Sequence, residues 1–551
     1  MPVNTFHTVH LHLVSKIRRA ILFSIPAVFS IVLLLICLFQ ISPFTTIVNP
    51  ANSELNLYRS SKPNHNEFSP DAIRWRIHTA LEQANVAFTS QSTSPQGAIA
   101  EYKRRYRRDP PSGFSDWVQF ALDHDSKVID DFDEIHRDLE PFRTPEAQRL
   151  FHQLNNRKEN WEHTRRVIIE NGVMNASSSD GFWNRLVTPF LHALPNNSVF
   201  YINTLDEPRV LSKPGPLPNH IKFAESAGQS IEDLVKVSCS QIPRELTHHL
   251  DPEKDVCKFS TPSKLHSMIA SPSSFSYTHS LIPILSYARM SAFRDILIPC
   301  PDYVRLPFVD SDNLIPFLEK KAGVYWRGRS TGGRVQRLHW KDGHRQRFVS
   351  FTQSLQNAAK SLETSQYFGA KIGNLDQKKI SLFKDVFDVQ MADYIQCEDK
   401  SACDDMQRVL GHEYGEPGES SLNYRYLFDL DGNSMTSRFY RLLSQQAVVL
   451  KQTLFQEWHD DRLIPWAHYI PVTMSMDELP ELLNFLINDP EGEQLSLKIA
   501  QTASTWSRQA LREIDMSIYL YRLLLELAEI FGPVDPSQPG YRAIMESDTK
   551  L

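Results

Sequence analysis

The stretch Gly323–Gly333 reads GVYWRGRSTGG, an apolar run that stops abruptly at two arginines, two hydroxyl residues and several glycines. The run Val324–Trp326 is typical of a β-strand. Glycine lets the backbone approach a ligand closely, hydroxyl and N–H groups donate hydrogen bonds, and guanidinium groups bind phosphate in a bidentate manner. The stretch therefore predicts a phosphate-binding loop at the carboxyl end of a strand. The candidate residues are Arg327, Gly328, Arg329, Ser330, Thr331 and Gly332.

Strand-like and helix-like runs alternate through the middle of the chain. The strand-like runs are 199–204 (VFYINT), 295–299 (DILIP), 324–326, 426–430 (YLFDL) and 447–450 (AVVL), and residues 437–443 form a helix-like run. Such alternation predicts α/β architecture with mostly parallel sheets. Ligands of these sheets bind at the carboxyl ends of the strands, where this chain has Asp206, Arg327 and Asp431.

A second informative segment is Tyr426–Leu443, YLFDLDGNSMTSRFYRLL. The strand stops at an Asp-Gly-Asn turn that ends at Asn433, and the candidate N-cap residues Ser434, Thr436 and Ser437 precede Arg438 in the expected first helical turn. A helix N-terminus presents free N–H groups to phosphate. The alternative is an ordinary capped helix whose arginine pairs with a surface acid.

The bulk composition limits the possible functions. The chain has 551 residues, 41% of them hydrophobic, and a formal net charge of −6. This length predicts a few domains, and the absence of a basic excess argues against nucleic acid as a partner. Cys239 with Cys257 and Cys397 with Cys403 could form disulfides in an oxidising compartment, with Cys300 left as a buried thiol.

The N-terminal region predicts a membrane anchor. Residues 20–39 are long and apolar enough to span a bilayer, and Lys16, Arg18 and Arg19 precede them. The charge asymmetry predicts a type II topology, with residues 1–19 cytosolic, residues 40–70 a stem and the body lumenal. The alternative is a cleaved signal peptide, whose apolar core would be shorter. Asn175 and Asn196 are glycosylation acceptors.

Three further patterns suggest other chemistry. Gly328–Gly332 also matches the GxSxG elbow of serine hydrolases, with Ser330 as nucleophile and Asp431 and His468 as partners. Bulky and charged residues before Ser330 make a tight elbow unfavourable. Asp429-Leu-Asp431 matches a metal-binding DxD, but two other DxD triplets match equally well, so we predict no metal site. His468, in the run PWAHYIPV, is more typical of a buried histidine than of a phosphate ligand.

Several segments, taken in order, resemble glycosyltransferase family 90, the capsule-associated and protein O-glucosyltransferase group, in its fungal branch. They are PPSGFSDWVQFA, IDDFDEI, YINTLDEPRVL, SYARMSAFRDILIP, WRGRSTGG, DLDGNSMTSRFYRLL and PWAHYIPV. The resemblance as a whole covers about Tyr102 to about Tyr521. The resemblance implies a GT-B architecture, two Rossmann-like domains facing a cleft. We expect an acceptor and catalytic-base domain at 71–300, a nucleotide-sugar domain at 301–475, and C-terminal helices and tail at 476–551.

The resemblance also implies roles for particular residues. The family's catalytic aspartate follows an early strand in an I-N-x-x-D pattern, which Ile202–Asp206 matches, so Asp206 is the expected base. The donor site would comprise Arg327–Gly332 and Asn433–Arg438. Arg289, Trp326 and His468 are possible supporting residues. Some family members carry arginine where this chain has Asp431, so the phosphate anchor is expected to be Arg438. Glu207 could raise the pKa of the base or point to solvent.

The sequence therefore predicts an inverting glycosyltransferase of the Golgi membrane, or of the endoplasmic reticulum. A UDP-sugar would donate glucose or xylose to a glycan or protein acceptor, with no metal or other cofactor. The C-terminus is not a retention tetrapeptide, which favours the Golgi. The alternatives are a serine hydrolase built on Ser330 and a non-catalytic, membrane-tethered glycan-binding protein.

Overall fold

The computed structural model describes residue 64 and residues 67–155, 163–176, 181–218, 220–242, 252–336, 339–364, 381–411 and 419–533. Contacts divide the chain into the units Met1–His65 and Asn66–Leu551, and all elements below belong to the second. The predicted cytosolic tail, the anchor 20–39 and most of the stem lie outside the described residues. None of the helices in the described residues is both long enough and apolar enough to cross a membrane.

Helices flank the sheets along most of the chain. In chain order they are α1 (Pro70–Thr89), α2 (Pro95–Tyr106), α3 (Phe114–Asp123), α4 (Asp133–Leu139), α5 (Pro145–Asn155), α6 (Gly181–Val187), α7 (Glu232–Cys239), α8 (Ser267–Ala270), α9 (Asp302–Arg305), α10 (His344–Thr364), α11 (Lys400–Leu410), α12 (Phe439–Leu443), α13 (Leu479–Asn488), α14 (Pro490–Ala510) and α15 (Glu513–Phe531).

The strands fall into two large sheets and one small ladder. They are β1 (Thr164–Glu170), β2 (Val173–Ala176), β3 (Ser198–Asn203), β4 (Phe223–Glu225), β5 (Ser276–Thr278), β6 (Ile284–Ser286), β7 (Ile296–Leu297), β8 (Lys321–Arg329), β9 (Phe387–Asp393), β10 (Tyr424–Leu430), β11 (Val448–Gln452) and β12 (Ile470–Pro471). Strands β4 and β5 form the small antiparallel ladder.

The first large sheet is mixed and has the strand order β2-β1-β3-β6-β7. Strand β1 is antiparallel to both β2 and β3, with Ile168 opposite Val199, whereas β3, β6 and β7 run parallel. Every residue of the central strand β3 is buried. An apolar run buried on both faces explains why its sequence shows no alternation of apolar and polar residues.

The second large sheet is parallel throughout, with the order β12-β11-β10-β8-β9. Helix α10 covers one face, where the ring of Phe348 packs edge-on against Trp326 at 5.9 Å and stacks on Phe428 at 3.9 Å. The parallel direction brings the carboxyl ends of all five strands to one edge of the sheet.

The predicted mixed α/β class with parallel sheets is confirmed, with differences of detail. The structure contains the strands predicted near 199–204, 324–326, 426–430 and 447–450, but the hairpin β1–β2 and strand β9 were not predicted. The expectation of mostly parallel sheets is correct for the second sheet, while the first also holds two antiparallel pairings. The strands of the sheets fall within 71–300 and 301–475, and the domain boundaries themselves stay predictions.

The last helix belongs structurally with the first ones. In α15 the backbone carbonyl of Ile518 accepts a hydrogen bond from the indole Nε1 of Trp117 in α3 at 2.9 Å. The carboxylate of Glu526 accepts one from the hydroxyl of Tyr102 in α2 at 3.0 Å. The C-terminal helices are therefore not a separate appendage, because α15 completes the core of the N-terminal helices.

Arg289 lies in a buried ion-pair cluster that fastens α4 to the first sheet. Its Nη2 atom is 2.5 Å from carboxylate oxygens of both Glu134 and Asp138, and its Nη1 donates to the backbone oxygen of Asp295 at 2.6 Å. The backbone N–H of Arg289 also donates to Gln456 at 3.1 Å. These contacts commit both terminal nitrogens of the guanidinium to the fold, and a supporting role for Arg289 at the ligand site stays a prediction.

Both expected cysteine pairs are disulfide-bonded in the structure, Cys239 with Cys257 and Cys397 with Cys403, and Cys300 is a buried free thiol. Of the glycosylation acceptors, Asn196 is exposed in the turn before β3. Asn175 lies in β2, and the serine of its triplet is outside the described residues.

Arg289→Ala should lower the free energy of unfolding by about 3–5 kcal/mol, because it leaves the buried carboxylate of Asp138 without its cation, whereas Glu134 keeps its ion pair with Arg137. Urea denaturation of the full chain measures the change. Lys400→Ala is the matched control, since Lys400 and Asp404 form an exposed pair that should contribute less than about 1 kcal/mol. Equal losses for the two variants would contradict the structural role of Arg289.

Candidate active site

A cavity of about 470 Å³ opens where strands from both sheets end. From the first sheet, residues following β3, β6 and β7 line it: Asp206, Tyr287, Cys300, Asp302 and Leu306. From the second sheet and helix α10, the lining residues are Arg327, Gly328, Arg329, Thr331, Arg345, Ala392, Gly432, Asn433, Ser434, Met435, Thr436, Ser437 and Arg438. We call this cavity the cleft.

The turn that carries Asp206 is held by Asn203, the last residue of β3. The side-chain oxygen of Asn203 accepts from the backbone N–H of Leu205 at 3.0 Å, and its Nδ2 donates to the backbone oxygen of Glu207 at 2.8 Å. Asn203 is fully buried and also donates to Ser286. These bonds close the chain into a turn that presents the exposed side chain of Asp206 to the cleft.

Glu207 points into the protein rather than to solvent. Its carboxylate accepts hydrogen bonds from the hydroxyls of Ser273 at 3.1 Å and Ser274 at 2.9 Å, and from the backbone N–H of Ser274. Burial, together with the nearby charge of Asp206, raises the pKa of Glu207 to about 7. Glu207 thus fixes the backbone beside Asp206, and its buried position rules out the alternative in which it points to solvent.

Asn433 joins the two sides of the cleft. Its Oδ1 accepts from the backbone N–H of Gly332 at 3.2 Å, and its Nδ2 donates to Oδ2 of Asp206 at 3.2 Å. A peptide N–H can only donate, so the amide oxygen must face Gly332 and the amide nitrogen must face the carboxylate. Asn433 therefore orients Asp206 and leaves its other carboxylate oxygen, Oδ1, to meet a ligand.

Arg438 reaches the cleft from the loop after β10. Its Nη1 donates to the backbone oxygen of Arg327 at 2.6 Å, and its Nε lies 3.7 Å from Asp429. Burial lowers the pKa of Arg438.

The predicted capped helix is wrong in its details. Helix α12 begins at Phe439 and has only five residues, with Arg438 as the residue before it and no side-chain cap among the described contacts. Thr436 instead donates to the carboxylate of Asp429 at 2.6 Å. Asn433, Ser434 and Ser437 lie in the loop that lines the cleft. A phosphate site here would use the loop and arginine side chains, not a helix terminus.

Asp429 is committed to protein contacts. Oδ2 of Asp429 accepts from the buried ammonium of Lys451 at 2.9 Å, while Oδ1 accepts from Thr436. Burial by itself would lower the pKa of Lys451. The negative charges of Asp429 and Glu457 have the larger combined effect, so the pKa of Lys451 is raised. The described residues contain no group of three or more metal-ligating side chains.

Asp431 is buried behind the cleft and does not line it. Its Oδ2 accepts from Nε2 of His266 at 3.2 Å and from the backbone N–H of Leu454 at 2.9 Å. Its backbone oxygen accepts from Nε2 of His344 at 2.8 Å. The rings of His266 and His344 stack with centroids 3.8 Å apart. Asp431 thus anchors the loop rather than binding a ligand.

Arg345 is a cleft residue that the sequence did not reveal. Its guanidinium donates to Thr331 at 2.6 Å, to the backbone oxygen of Arg329 at 2.8 Å and to that of Asp431 at 2.7 Å. Burial and the neighbouring Arg438 lower the pKa of Arg345 to about 9. It ties the loop after β8 to the loop after β10. No local motif marks it, because its partners lie elsewhere in the sequence.

Two predicted ligand residues, one near the end of β8 and one just after it, use their side chains for the fold. Ser330 is 1% exposed, and its hydroxyl both donates to and accepts from the backbone of Ile395 at 2.8 Å. The guanidinium of Arg327 pairs with the carboxylate of Asp388 at 2.6 Å and packs over Tyr325. Ser330 lies outside the cleft lining, and Arg327 contributes its backbone oxygen to holding Arg438.

The glycines of this loop allow close packing. A Cβ at Gly328 would lie 2.6 Å from the ring of Trp326, and one at Gly332 would lie 2.4 Å from the ring of His344. Gly332 also has a φ of +124°, which favours glycine. Arg329 is exposed at the rim, with Nε 3.7 Å from Asp393.

Trp326 and His468, predicted as supporting residues, lie in the core. Trp326 is 1% exposed and faces α10. Nδ1 of His468 accepts from the backbone N–H of Ile464 at 2.8 Å, and its ring packs between Phe88 and Trp506. Burial lowers the pKa of His468 to about 3. Neither residue lines the cleft.

These features define an α/β protein with a carboxylate and several arginines gathered at the facing strand ends of two sheets. Residues 267–547 match the family model described as glycosyl transferase family 90. The chain belongs to this family, which confirms the resemblance seen in the sequence.

Proteins of known activity share shorter segments with it. Human protein O-glucosyltransferase 1 is 29% identical over 125 residues, 22% of this chain and 31% of the relative. The O-glucosyltransferase rumi of Drosophila pseudoobscura pseudoobscura is 34% identical over 109 residues, 19% of this chain and 26% of the relative. Human protein O-glucosyltransferase 3 is 28% identical over 107 residues, 19% of this chain and 20% of the relative. The matched segment therefore spans less than a third of each relative.

The pKa of Glu207 predicts how stability depends on pH. Because the folded pKa of about 7 lies above the ordinary 4.5, the folded state retains a proton that the unfolded state has released. The stabilisation is fully present below pH 4.5 and is lost as the pH rises through 7. Glu207→Gln should flatten this decline, by up to about 3 kcal/mol, as the shift implies.

Thermal unfolding of both proteins between pH 4.5 and 8 measures the effect. Glu82→Gln, at an exposed position of α1, is the matched control and should leave the profile of the full chain unchanged. An unchanged profile for Glu207→Gln would show that the buried carboxyl ionises without cost.

Proposed function

We propose that this chain is a glycosyltransferase that moves a sugar from a UDP-sugar to a hydroxyl group of a glycan or protein acceptor. The observation that carries the proposal is that Asp206 and the arginines Arg329, Arg345 and Arg438 line one cleft. Membership of glycosyl transferase family 90 supports the reaction class. The names of the relatives favour glucose as the transferred sugar, and xylose is the other sugar implied by the resemblance.

In the proposed reaction Asp206 is the general base. The acceptor hydroxyl attacks the anomeric carbon in line with the departing diphosphate, so the configuration at that carbon inverts. Oδ1 of Asp206 takes the hydroxyl proton as the new bond forms, while Asn433 holds Oδ2. The Asn203 turn and Glu207 keep the carboxylate in place.

The departing UDP carries negative charge that the cleft can stabilise. The partly buried Arg438 and the buried Arg345 supply cations at one wall, Arg329 supplies an exposed cation at the rim, and Thr331 supplies a hydroxyl. Preorganised cations in a cavity stabilise a leaving diphosphate without reorganisation. Asp429 already binds Lys451 and Thr436, which supports a mechanism in which protein cations take the place of a metal.

We further propose a Golgi or endoplasmic reticulum location, with residues 20–39 as the anchor and the catalytic body in the lumen. The apolar run and its preceding cations support the anchor. The two disulfides fit an oxidising compartment. The exposed Asn196 in its glycosylation triplet fits the same compartment.

The structure argues against one of the two alternative functions and is compatible with the other. A serine hydrolase is disfavoured because the Ser330 hydroxyl is buried and bonded to the backbone of Ile395, so it is not an accessible nucleophile. A non-catalytic glycan-binding protein would use the same cleft without turnover, and only an activity measurement separates it from the transferase.

Asp206→Asn should reduce turnover at least about 100-fold, because an amide cannot accept the acceptor proton. The amide can still occupy the same turn, so UDP affinity should change less than about threefold. Product formation from UDP-glucose and calorimetric titration of UDP measure the two quantities.

Asp302→Asn is the matched control, since Asp302 also lines the cleft, and it should retain most of the turnover. Full activity of Asp206→Asn with loss in Asp302→Asn would move the base to Asp302. Turnover that is undetectable in all three proteins, despite UDP binding, would favour the glycan-binding alternative.

UDP-glucose or UDP-xylose should raise the melting temperature of the full chain equally with and without EDTA, because the arginines rather than a metal would hold the diphosphate. Thermal-shift titration against a panel of nucleotide sugars measures this and names the donor. Stabilisation that EDTA removes would contradict the metal-independent mechanism, and no stabilisation by any nucleotide sugar would contradict the transferase itself.

A further inference from the structure

A second cavity, of about 310 Å³, lies beside the cleft. It is bounded by residues between 263 and 271 on one side and by residues 334–336, 339–340, 342–343 and 346 on the other. The two cavities share no lining residue in the described part of the chain. They are close neighbours nevertheless, because Arg345 faces the cleft and the next residue, Gln346, faces the second cavity.

Gln346 gives this cavity an unfilled hydrogen-bonding group. The residue is 1% exposed, and its Oε1 atom is buried without a hydrogen-bond partner. Its Nε2 atom has only a weak contact to the sulfur of Met406 at 3.7 Å. A buried amide oxygen left without a donor destabilises a protein, so a ligand that donates a hydrogen bond here would gain affinity. A hydroxyl suits either orientation of the amide, because it both donates and accepts.

Gly343 lets two polar side chains of the cavity lining pack directly against the backbone. Its φ of −66° is ordinary for any residue, so backbone conformation does not explain the glycine. A Cβ at this position would collide with the side chain of Gln346, at 2.2 Å from Oε1, and with the hydroxyl of Ser267, at 2.7 Å. The glycine therefore leaves room for these two side chains in their observed positions.

The mouth of the cavity is cationic. Lys264 and Arg334 are both exposed at its edge, and neither forms an ion pair with another described residue. The acid Asp342 also lines the cavity, but it faces His339 at 3.8 Å. Two unpaired cations beside hydroxyl and amide groups favour a ligand that is both anionic and rich in hydroxyls.

We propose that this cavity binds one sugar residue that carries an acidic group, either a carboxylate or a phosphate. The sugar hydroxyls bond Gln346 and Ser267, the acidic group meets Lys264 and Arg334, and Trp340 forms an apolar wall. Trp340 is fixed by its Nε1, which donates to Asp405 at 3.3 Å. The volume is at the small end of ligand pockets, about 300–1,000 Å³, and therefore suits a single residue. The proposal does not depend on the transferase reaction.

Calorimetric titration of the full chain with methyl glucuronide, glucose 6-phosphate, methyl glucoside and inorganic phosphate tests this. We expect saturable binding of at least one acidic sugar, tighter than that of the neutral glucoside. Lys264→Ala combined with Arg334→Ala should weaken binding of the acidic sugar by about tenfold or more, because charge-assisted hydrogen bonds are lost. Gln346→Leu should weaken binding of the sugar but not of inorganic phosphate.

Lys341→Ala is the matched control, since Lys341 is an exposed cation near the cavity but does not line it, and it should bind like the parent. Equal affinity for inorganic phosphate and the acidic sugars would reduce the cavity to an anion site and overturn the sugar assignment. No saturable binding, or binding unaffected by the cation variants, would overturn the whole proposal. Titration of UDP on the same samples measures binding in the cleft. Absence of binding in the second cavity can therefore be distinguished from absence of binding in the cleft.

Discussion

The cleft depends on the burial of Asp431. Its carboxylate is held by His266 and by the backbone of Leu454, and its carbonyl oxygen is held by His344 and Arg345. The chain leaves this anchor and immediately enters the loop that carries Asn433 and Arg438. A buried carboxylate needs hydrogen-bond donors, and His266 and the backbone of Leu454 supply them to its Oδ2 atom. These contacts determine the position and direction of the loop. The loop in turn determines the contact that joins the two sheets at Asp206.

Much of this arrangement can be predicted from local sequence. Buried parallel strands read as continuous apolar runs, and the residues after such runs must gather at one edge of a sheet. That logic predicts Asp206, Arg327 and Asp431 at the ligand-binding edge, and the first two line the cleft, whereas Asp431 is buried behind it. It missed β1 because the run TRRVIIE carries two adjacent arginines, one of which, Arg166, is nevertheless buried.

Other parts of the site could not be predicted in this way. Side chains alternate faces along a strand, so Trp326 and Ser330 turn toward the core although they stand among cleft residues. Local sequence pattern cannot show that the guanidinium of Arg327 forms an ion pair with Asp388 on the neighbouring strand. Arg345 and the stacked pair of His266 and His344 acquire their roles only because the fold brings them to Asp431, and their partners are about 85 to 165 residues distant along the chain.

The packing of α15 against the first helices has a consequence for how the protein is made. Trp117 meets its partner Ile518 across 401 positions of sequence, and Tyr102 meets Glu526 across 424. During synthesis the N-terminal helices emerge first, yet their apolar surface stays uncovered until almost the entire chain has left the ribosome. Contacts of such long range close slowly, and exposed apolar surface invites aggregation meanwhile. Production of this protein thus depends on protection of its first half while the last helix is still being translated.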